Sequence, residues 1–339
     1  MILAGDIGGT NTRLAWVAPG GERLTVVQET TFPSREYASL EAVLERFFSA
    51  QRFPVERACF GVAGPVRHGR VDTTNLPWVV DSRSLAGQLG LEHVGLINDL
   101  VANAHGIAAL EAKDFTLLNP GAADAQGNVA IISAGTGLGE AGLYWDGTRH
   151  RPFATEGGHA TFAPRGALEM DLLRHASTQF QHVSVERVLS GPGLLLIYRF
   201  LRDTGHGEEP AWLAEELRQR DPSAVIAETA MESKNDLCIQ ALDLFVSIYG
   251  AEAGNLALKV MATGGVFLGG GIAPKILPKL QDPVFLEAFG AKGRMMSLLL
   301  AMPVRVILND KTALLGAARY AALSVTVDPT PAGTRGAMQ

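Results

Sequence analysis

Three glycine-rich turns and a few scattered carboxylates, amides and a histidine are the residues of this chain whose types and spacing could do chemistry. The first turn, Asp6-Ile7-Gly8-Gly9-Thr10-Asn11, joins two apolar runs. Backbone N–H groups in such a turn can face an anion, and Asp6 can orient a hydrated Mg²⁺. A tight hairpin would use the same residues with no ligand at all. Ser133-Ala134-Gly135-Thr136-Gly137-Leu138-Gly139 offers the same hardware further along. The third run, Gly264-Gly265-Val266-Phe267-Leu268-Gly269-Gly270-Gly271, has backbone with little side chain in the way. It suits a flat base and ribose and, equally, a strand packed tightly under a helix. Gly137, Gly139 and Gly142 spell GxGxxG. That motif needs a helix to open at the glycines, whereas residues 140–145 have strand composition and run into a turn at Asp146-Gly147, so the dinucleotide reading is rejected. No GxxxxGK[ST] occurs, which excludes a Walker-type site. Phosphate turns without a Lys partner point to a nucleotide, and polar residues between them to a substrate. Those residues are Asn98-Asp99, Glu156-Gly157-Gly158-His159, Glu186, and Asn75 within Thr-Thr-Asn-Leu-Pro-Trp. Taken singly, each has an ordinary structural explanation: a lone Glu is usually a solvated face and a lone His a hydrogen-bonded structural residue.

The elements that must position these groups follow from periodicity. Residues 2–6, 12–17 and 24–31 read as strands, 39–50 as an amphipathic helix and 58–62 as a returning strand. Residues 82–89 read as a short helix, 94–98 as a buried strand, and 100–110 as a helix opening directly after Asn98-Asp99. Asp99 therefore falls at the carboxyl end of a strand and beside a helix N-terminus, where open α/β sheets put ligands. From Val129, VAIISAGTGLGEAGLYW repeats in outline the opening ILAGDIGGTNTRLAWV, so the chain reads as internally duplicated. Helices are expected at 167–177, 184–189, 193–202, 211–220 and 237–261. A strand and glycine run at 266–271 leads into a helix at 273–280; 304–308 reads as a strand and 312–323 as an Ala-rich helix returning to the first domain. The stretch after Ser324 loses periodicity and is expected to fray. The expected domains are thus 1–110 with about 302–324, then 111–301, with a flexible tail at 325–339.

Length and composition agree with this plan. A chain of 339 residues and 36.0 kDa exceeds what one hydrophobic core usually spans. With 47% hydrophobic and 19% charged residues and a mean hydropathy of +0.14, it has ample apolar surface to bury and too little charge for disorder. Lys and Arg (29) against Asp and Glu (35) leave a net charge of −6, no footprint for DNA, RNA or anionic lipid. Cys59 and Cys238 lie far apart in apolar segments, so both read as reduced core residues of a cytoplasmic protein. The opening MILAGDIGG lacks a basic segment and meets Asp6, and the apolar stretch 255–274 is broken by Lys259 and glycines, so neither export nor a membrane span is expected.

Taken together, the segments resemble the bacterial glucokinase family, within the hexokinase, sugar kinase and actin-like ATPase superfamily, over nearly the whole chain. The resemblance rests on GDIGGTNTRLA at the start, INDL at 97–100, SAGTGLG at 133–139, EGGHATFAP at 156–164, VSVERVLSGPGL at 183–194, GNLAL at 254–258 and GGVFLGGGIAPK at 264–275. Related kinases that include repressors carry a Cys-rich zinc motif after the His and a DNA-binding segment before the first strand. This sequence shows neither, so it is similar to the zinc-free branch. The resemblance implies a two-domain α/β fold of the actin-like ATPase (ribonuclease H-like) kind with an interdomain cleft, and transfer of phosphate from ATP to the 6-hydroxyl of D-glucose. By the same resemblance Asp99 is the general base, and Asn98, Glu156, His159 and Glu186, with Asn75 as a further candidate, hold the sugar hydroxyls. Carboxylates, an amide and an imidazole suit hydroxyls that each donate and accept. The nucleotide is expected on Asp6, Gly8, Gly9, Thr10, Asn11, Gly135, Thr136, Gly137, Gly264, Gly265, Gly269 and Gly270, with Asp6 holding Mg²⁺ through water. A homodimer is what the family suggests. Three alternatives stay open: a kinase for another hexose or for N-acetylmannosamine, a polyphosphate-dependent glucokinase, and a non-catalytic sugar-responsive regulator.

Overall fold

A computed structural model describes residues 1–20, 23–73 and 76–323. The chain divides into two compact units, one built from residues 1–109 and the stretch from Lys311, the other from residues 110–310.

In the first unit β1 (Ile2–Ile7), β2 (Asn11–Gly20) and β3 (Arg23–Pro33) form an antiparallel meander. α1 (Leu40–Ala50), β4 (Arg57–Val62), the small hairpin of β5 (Arg70–Asp72) and β6 (Val79–Asp81), α2 (Ser82–Leu89), β7 (Gly95–Asn98) and α3 (Asp99–Ile107) follow. The sheet order is β3-β2-β1-β4-β7, with β1, β4 and β7 parallel. Strand alternation sorts the core. Leu3, Ile7, Leu14 and Trp16 join one apolar cluster with Phe47 of α1, while Ile2, Ala4, Ala15 and Val17 join another on the opposite face.

The second unit opens with β8 (Phe115–Asn119), β9 (Val129–Ala134), β10 (Leu138–Trp145) and β11 (His150–Ala154). Its helices are α4 (Gly166–Ser177), α5 (Gly191–Asp203), α6 (Ala211–Gln219), α7 (Pro222–Met231) and α8 (Asp236–Val260). β12 (Gly265–Gly269), α9 (Leu277–Leu280), α10 (Pro283–Gly290), α11 (Met296–Leu300) and β13 (Val304–Ile307) complete it. The order β11-β10-β9-β12-β13 reproduces β3-β2-β1-β4-β7, and β8 adds an antiparallel edge. The duplication read from the sequence is therefore one of topology. α8 is the one described helix long and apolar enough to cross a membrane, but 78% of its most apolar window is buried inside the protein, where it packs against α5, α7 and α10.

α12 (Thr312–Leu323) belongs to the first unit, where Ala313, Leu314, Ala317, Ala318 and Ala321 line the cluster that contains Ile2 and Ala4. The helix crosses α3 so closely that a side chain at Gly106 would meet the backbone of Thr312, and one at Gly316 that of Ala102. The expected return to the first domain at about residue 302 is corrected to Lys311, because β13 pairs with β12 and β8 in the second sheet. The helix expected at 184–189 is instead a single 3₁₀ turn, Val185–Arg187, cut short where Ser190 caps α5. The helix expected at 273–280 is helical only over Leu277–Leu280. The expected tail at 325–339 lies outside the described residues.

Candidate active site

Register in the first sheet brings the expected groups at 6–11 and 98–99 to one edge. Ile7, Val62 and Asn98 stand side by side at the carboxyl ends of β1, β4 and β7. With strands about 4.8 Å apart, the turn after β1 and Asp99 after β7 lie about 10 Å from each other on the ligand side of a parallel array. Asn98 caps α3: its Oδ1 accepts the N–H of Leu100 at 2.9 Å and of Val101 at 3.4 Å, while its Nδ2 donates to the Gly64 carbonyl at 3.2 Å. Asp99 is the first helical residue, and its Oδ1 also accepts the Leu100 N–H at 2.9 Å. A carboxylate at a helix N-terminus is stabilised by the helix dipole.

The turn at 8–10 is closed by the Gly8 N–H donating to the Asn11 carbonyl at 2.9 Å. Sequence reasoning missed its brace. Ser34 Oγ donates to the Gly8 carbonyl at 2.8 Å and lies 2.9 Å from Thr12 Oγ1, with both residues fully buried. A serine this far along the chain gives no local signal. Thr10 and Asn11 are exposed, and Asp6 stands opposite Arg13 in the β1–β2 ladder. Among the described residues no group of three or more His, Cys, Asp or Glu is disposed to hold a metal. Mg²⁺ typically keeps several waters and takes one or two carboxylates plus substrate phosphates, and Asp6, at the end of β1 beside the turn, is the carboxylate placed to serve it.

In the second unit the turn at 135–137 joins β9 to β10, with the Gly135 N–H donating to the Gly137 carbonyl at 2.8 Å. α5 starts against it: the Gly191 N–H donates to the Gly135 carbonyl at 2.8 Å, which brings the positive end of a 13-residue helix to the turn. Sequence periodicity began this helix two residues late and so missed the contact; the Pro in Ser190-Gly191-Pro192-Gly193 was the available signal.

Glu186, on the 3₁₀ turn, reaches across this junction. Its Oε2 accepts the Leu138 N–H at 2.9 Å and occupies the space a side chain at Gly137 would need, and its Oε1 lies 4.0 Å from His159 Nδ1. The structure thus joins Glu186 to both the phosphate-type turn and the 156–159 turn. Glu156 and His159 flank Gly157 and Gly158 in that second turn, which is closed by the His159 N–H donating to the Glu156 carbonyl at 3.0 Å; both side chains are exposed.

The third glycine run divides. β12 lies parallel to β9 with Gly269 opposite Ser133, so the run leaves the sheet beside Ala134 and Gly135. A side chain at Gly264 or Gly270 would meet backbone of this same unit, and at Gly269 the Ser133 hydroxyl; Gly265 and Gly270 also have φ of 126° and 80°. Local packing by itself therefore requires glycine at these expected nucleotide contacts. At Gly135 and Gly271 nothing lies within 4 Å of an added methyl. Those two open positions, at the carboxyl ends of adjacent parallel strands, are where a ligand has room, and Gly271 was not among the expected contacts. Asn75 lies outside the described residues.

The family model for glucokinase matches residues 3–324. A glucokinase of Nostoc punctiforme is 41% identical over 337 residues, covering 95% of this chain and 99% of its own. One of Caulobacter sp. is 37% identical over 318 residues, with 93% of each covered. Among solved structures, the glucokinase from an Antarctic psychrotroph superposes with a TM-score of 0.81 at 31% identity, covering 95% of this chain and 98% of that one. The glucokinase of Balamuthia mandrillaris in complex with glucose superposes at 0.77 with 22% identity, covering 95% and 93%, a likeness of fold.

Proposed function

The chain belongs to the glucokinase family and has its actin-like ATPase α/β fold, and from that premise we propose that it transfers the γ-phosphoryl group of ATP to the 6-hydroxyl of D-glucose with Asp99 as general base. The observation that carries the assignment of the base is the place of Asp99: it directly follows the carboxyl end of a parallel strand and opens α3, whose first N–H groups Asn98 caps at Leu100 and Val101 and Asp99 shares at Leu100. In the reaction Asp99 takes the hydroxyl proton as the sugar oxygen attacks phosphorus, the bond to the β-phosphate oxygen breaks, and ADP leaves. Asp99 afterwards returns the proton to solvent.

Positioning and charge stabilisation are most of what phosphoryl transfer asks of a protein. The turns at 8–10 and 135–137 offer backbone N–H groups to the phosphates, supported in the second case by the start of α5. Mg²⁺, held through water by Asp6, would neutralise charge on the phosphate oxygens. Glu156, His159, Glu186 and Asn98 supply hydrogen bonds to the sugar hydroxyls, and Gly135 and Gly271 leave room for the nucleotide. We also propose a cytoplasmic homodimer; two buried free thiols are consistent with a reducing compartment.

A coupled assay for glucose 6-phosphate with ATP and Mg²⁺ tests the reaction. Running a panel of hexoses and N-acetylmannosamine, and polyphosphate in place of ATP, tests the choice of acceptor and donor. Turnover of glucose with ATP is the expected result. Binding of glucose without turnover would support a regulator instead.

A further inference from the structure

We propose that Glu140 is a positioning residue for the sugar-binding turn, its buried side chain packed against Gly157 so that the turn presents Glu156 and His159 in the shape glucose requires. The inference rests on the glucokinase reading of that turn. Glu140 lies on β10 opposite Ile132 of β9 and is 1% exposed. Its carbonyl accepts the Thr155 hydroxyl at 2.9 Å, and Thr155 Oγ1 in turn accepts the Gly157 N–H at 3.2 Å. Its Oε2 fills the space where a side chain at residue 157 would stand, so main chain and side chain of this one residue both meet the turn. Its Oε1 is buried with no hydrogen-bond partner. An ionised carboxylate would leave that oxygen charged and unsolvated, which is the costly state; a neutral acid is tolerated.

The surrounding charges favour the same protonation state. Glu252 on α8, itself 6% exposed, repels a second carboxylate. Lys259 on the same helix attracts one, but its ammonium is already 3.4 Å from Glu252. Lys292, packed against α8, is spent on the Ala251 carbonyl and Asn255 Oδ1. Glu156 and His159 lie on the turn, with Glu186 beyond. Burial first, and Glu252 second, push the Glu140 carboxyl up to about 7. The sign follows: the acid is neutral below that value and ionises above it, where new charge beneath Gly157 drives the turn out of shape.

The test compares wild type with E140Q, whose amide is neutral at every pH. KM for glucose in the wild type should rise roughly three- to tenfold between about pH 6 and about pH 8.5, with kcat and KM for ATP moving much less. In E140Q that rise should be absent. His159 is intact in the variant, so a rise that survives there belongs to another group and overturns the proposal, as does a flat wild-type profile. Amide exchange at Gly157 and Gly158 without sugar gives a second readout. Relative to the turn at Asp146 at the other end of β10, protection should fall across the same pH range; unchanged relative protection overturns the proposal even if E140Q does not fold. If the chain proves inactive on glucose, that counts against the kinase reading, and the exchange result still judges Glu140 on its own.

Discussion

At Asp99 the proposed reaction needs a base and the fold needs a helix start, and a substitution can separate the two. Asn at this position keeps an oxygen able to accept the Leu100 N–H, and the Asn98 cap is untouched. Asp99→Asn should therefore fold and bind glucose while kcat falls by about 10² to 10⁴, the usual worth of a positioned base. Activity within a few-fold of wild type would remove Asp99 from the role. Glu156→Gln and His159→Ala should raise KM for glucose about tenfold to a hundredfold, since an unpaired buried hydroxyl costs about 1–3 kcal/mol, and should leave KM for ATP nearly unchanged. Equal effects on both constants would point to a general structural loss. Glu186 behaves differently because it holds the Leu138 N–H as well as approaching His159. Glu186→Gln, which keeps an oxygen for the Leu138 N–H, should raise KM for glucose alone, whereas Glu186→Ala, which removes that acceptor too, should raise both constants, and this pair distinguishes a group bridging two turns from a simple sugar ligand.

At the scale of elements, the open space at Gly135 separates a glycine kept for a ligand from one kept for packing. An alanine there meets nothing within 4 Å and needs no special backbone angle. Gly135→Ala should leave thermal stability unchanged or slightly higher and raise KM for ATP, because the methyl would stand where a phosphate passes. Gly270→Ala is the control: at φ of 80° and against the Ala134 backbone it should destabilise the second unit by about 1–3 kcal/mol. If Gly135→Ala binds ATP as the wild type does, the turn after β9 is a plain hairpin.

For the whole molecule, the proposed sugar ligands come from separate units, Asn98 and Asp99 from the first and Glu156, His159 and Glu186 from the second. If, as proposed, one glucose molecule is held by both sets, its binding energy would be available to draw the units together and exclude the water that would otherwise accept the phosphoryl group. Small-angle scattering should then give a smaller radius of gyration with glucose alone, and hydrolysis of ATP without sugar should be slow. An unchanged radius at saturating glucose, with binding verified by calorimetry, would sink closure and leave the kinase reaction standing.

Local chemistry was legible in the sequence. Alternating apolar residues such as Leu3, Ile7, Leu14 and Trp16 specify strands, Ser39 and Asn98 mark helix starts, and the glycine turns with their neighbours carry the family resemblance, because each depends on residues close along the chain. The strands Phe115–Asn119 and His150–Ala154 were not legible, since an edge strand is specified by the neighbour it pairs with more than by its own pattern. Val304–Ile307 is an interior strand, and its assignment to the second sheet was hidden because its pairing with Gly265–Gly269 and Phe115–Asn119 is fixed only in the folded chain. That dependence on folding also hid Ser34 bracing Gly8, Glu186 bracing Leu138 and the burial of Glu140 beneath Gly157. Sequence alone determined which groups are available. Tertiary structure decided which of them are spent on the fold, because a hydrogen bond or a buried charge between residues far apart in the chain exists only once packing has brought them together.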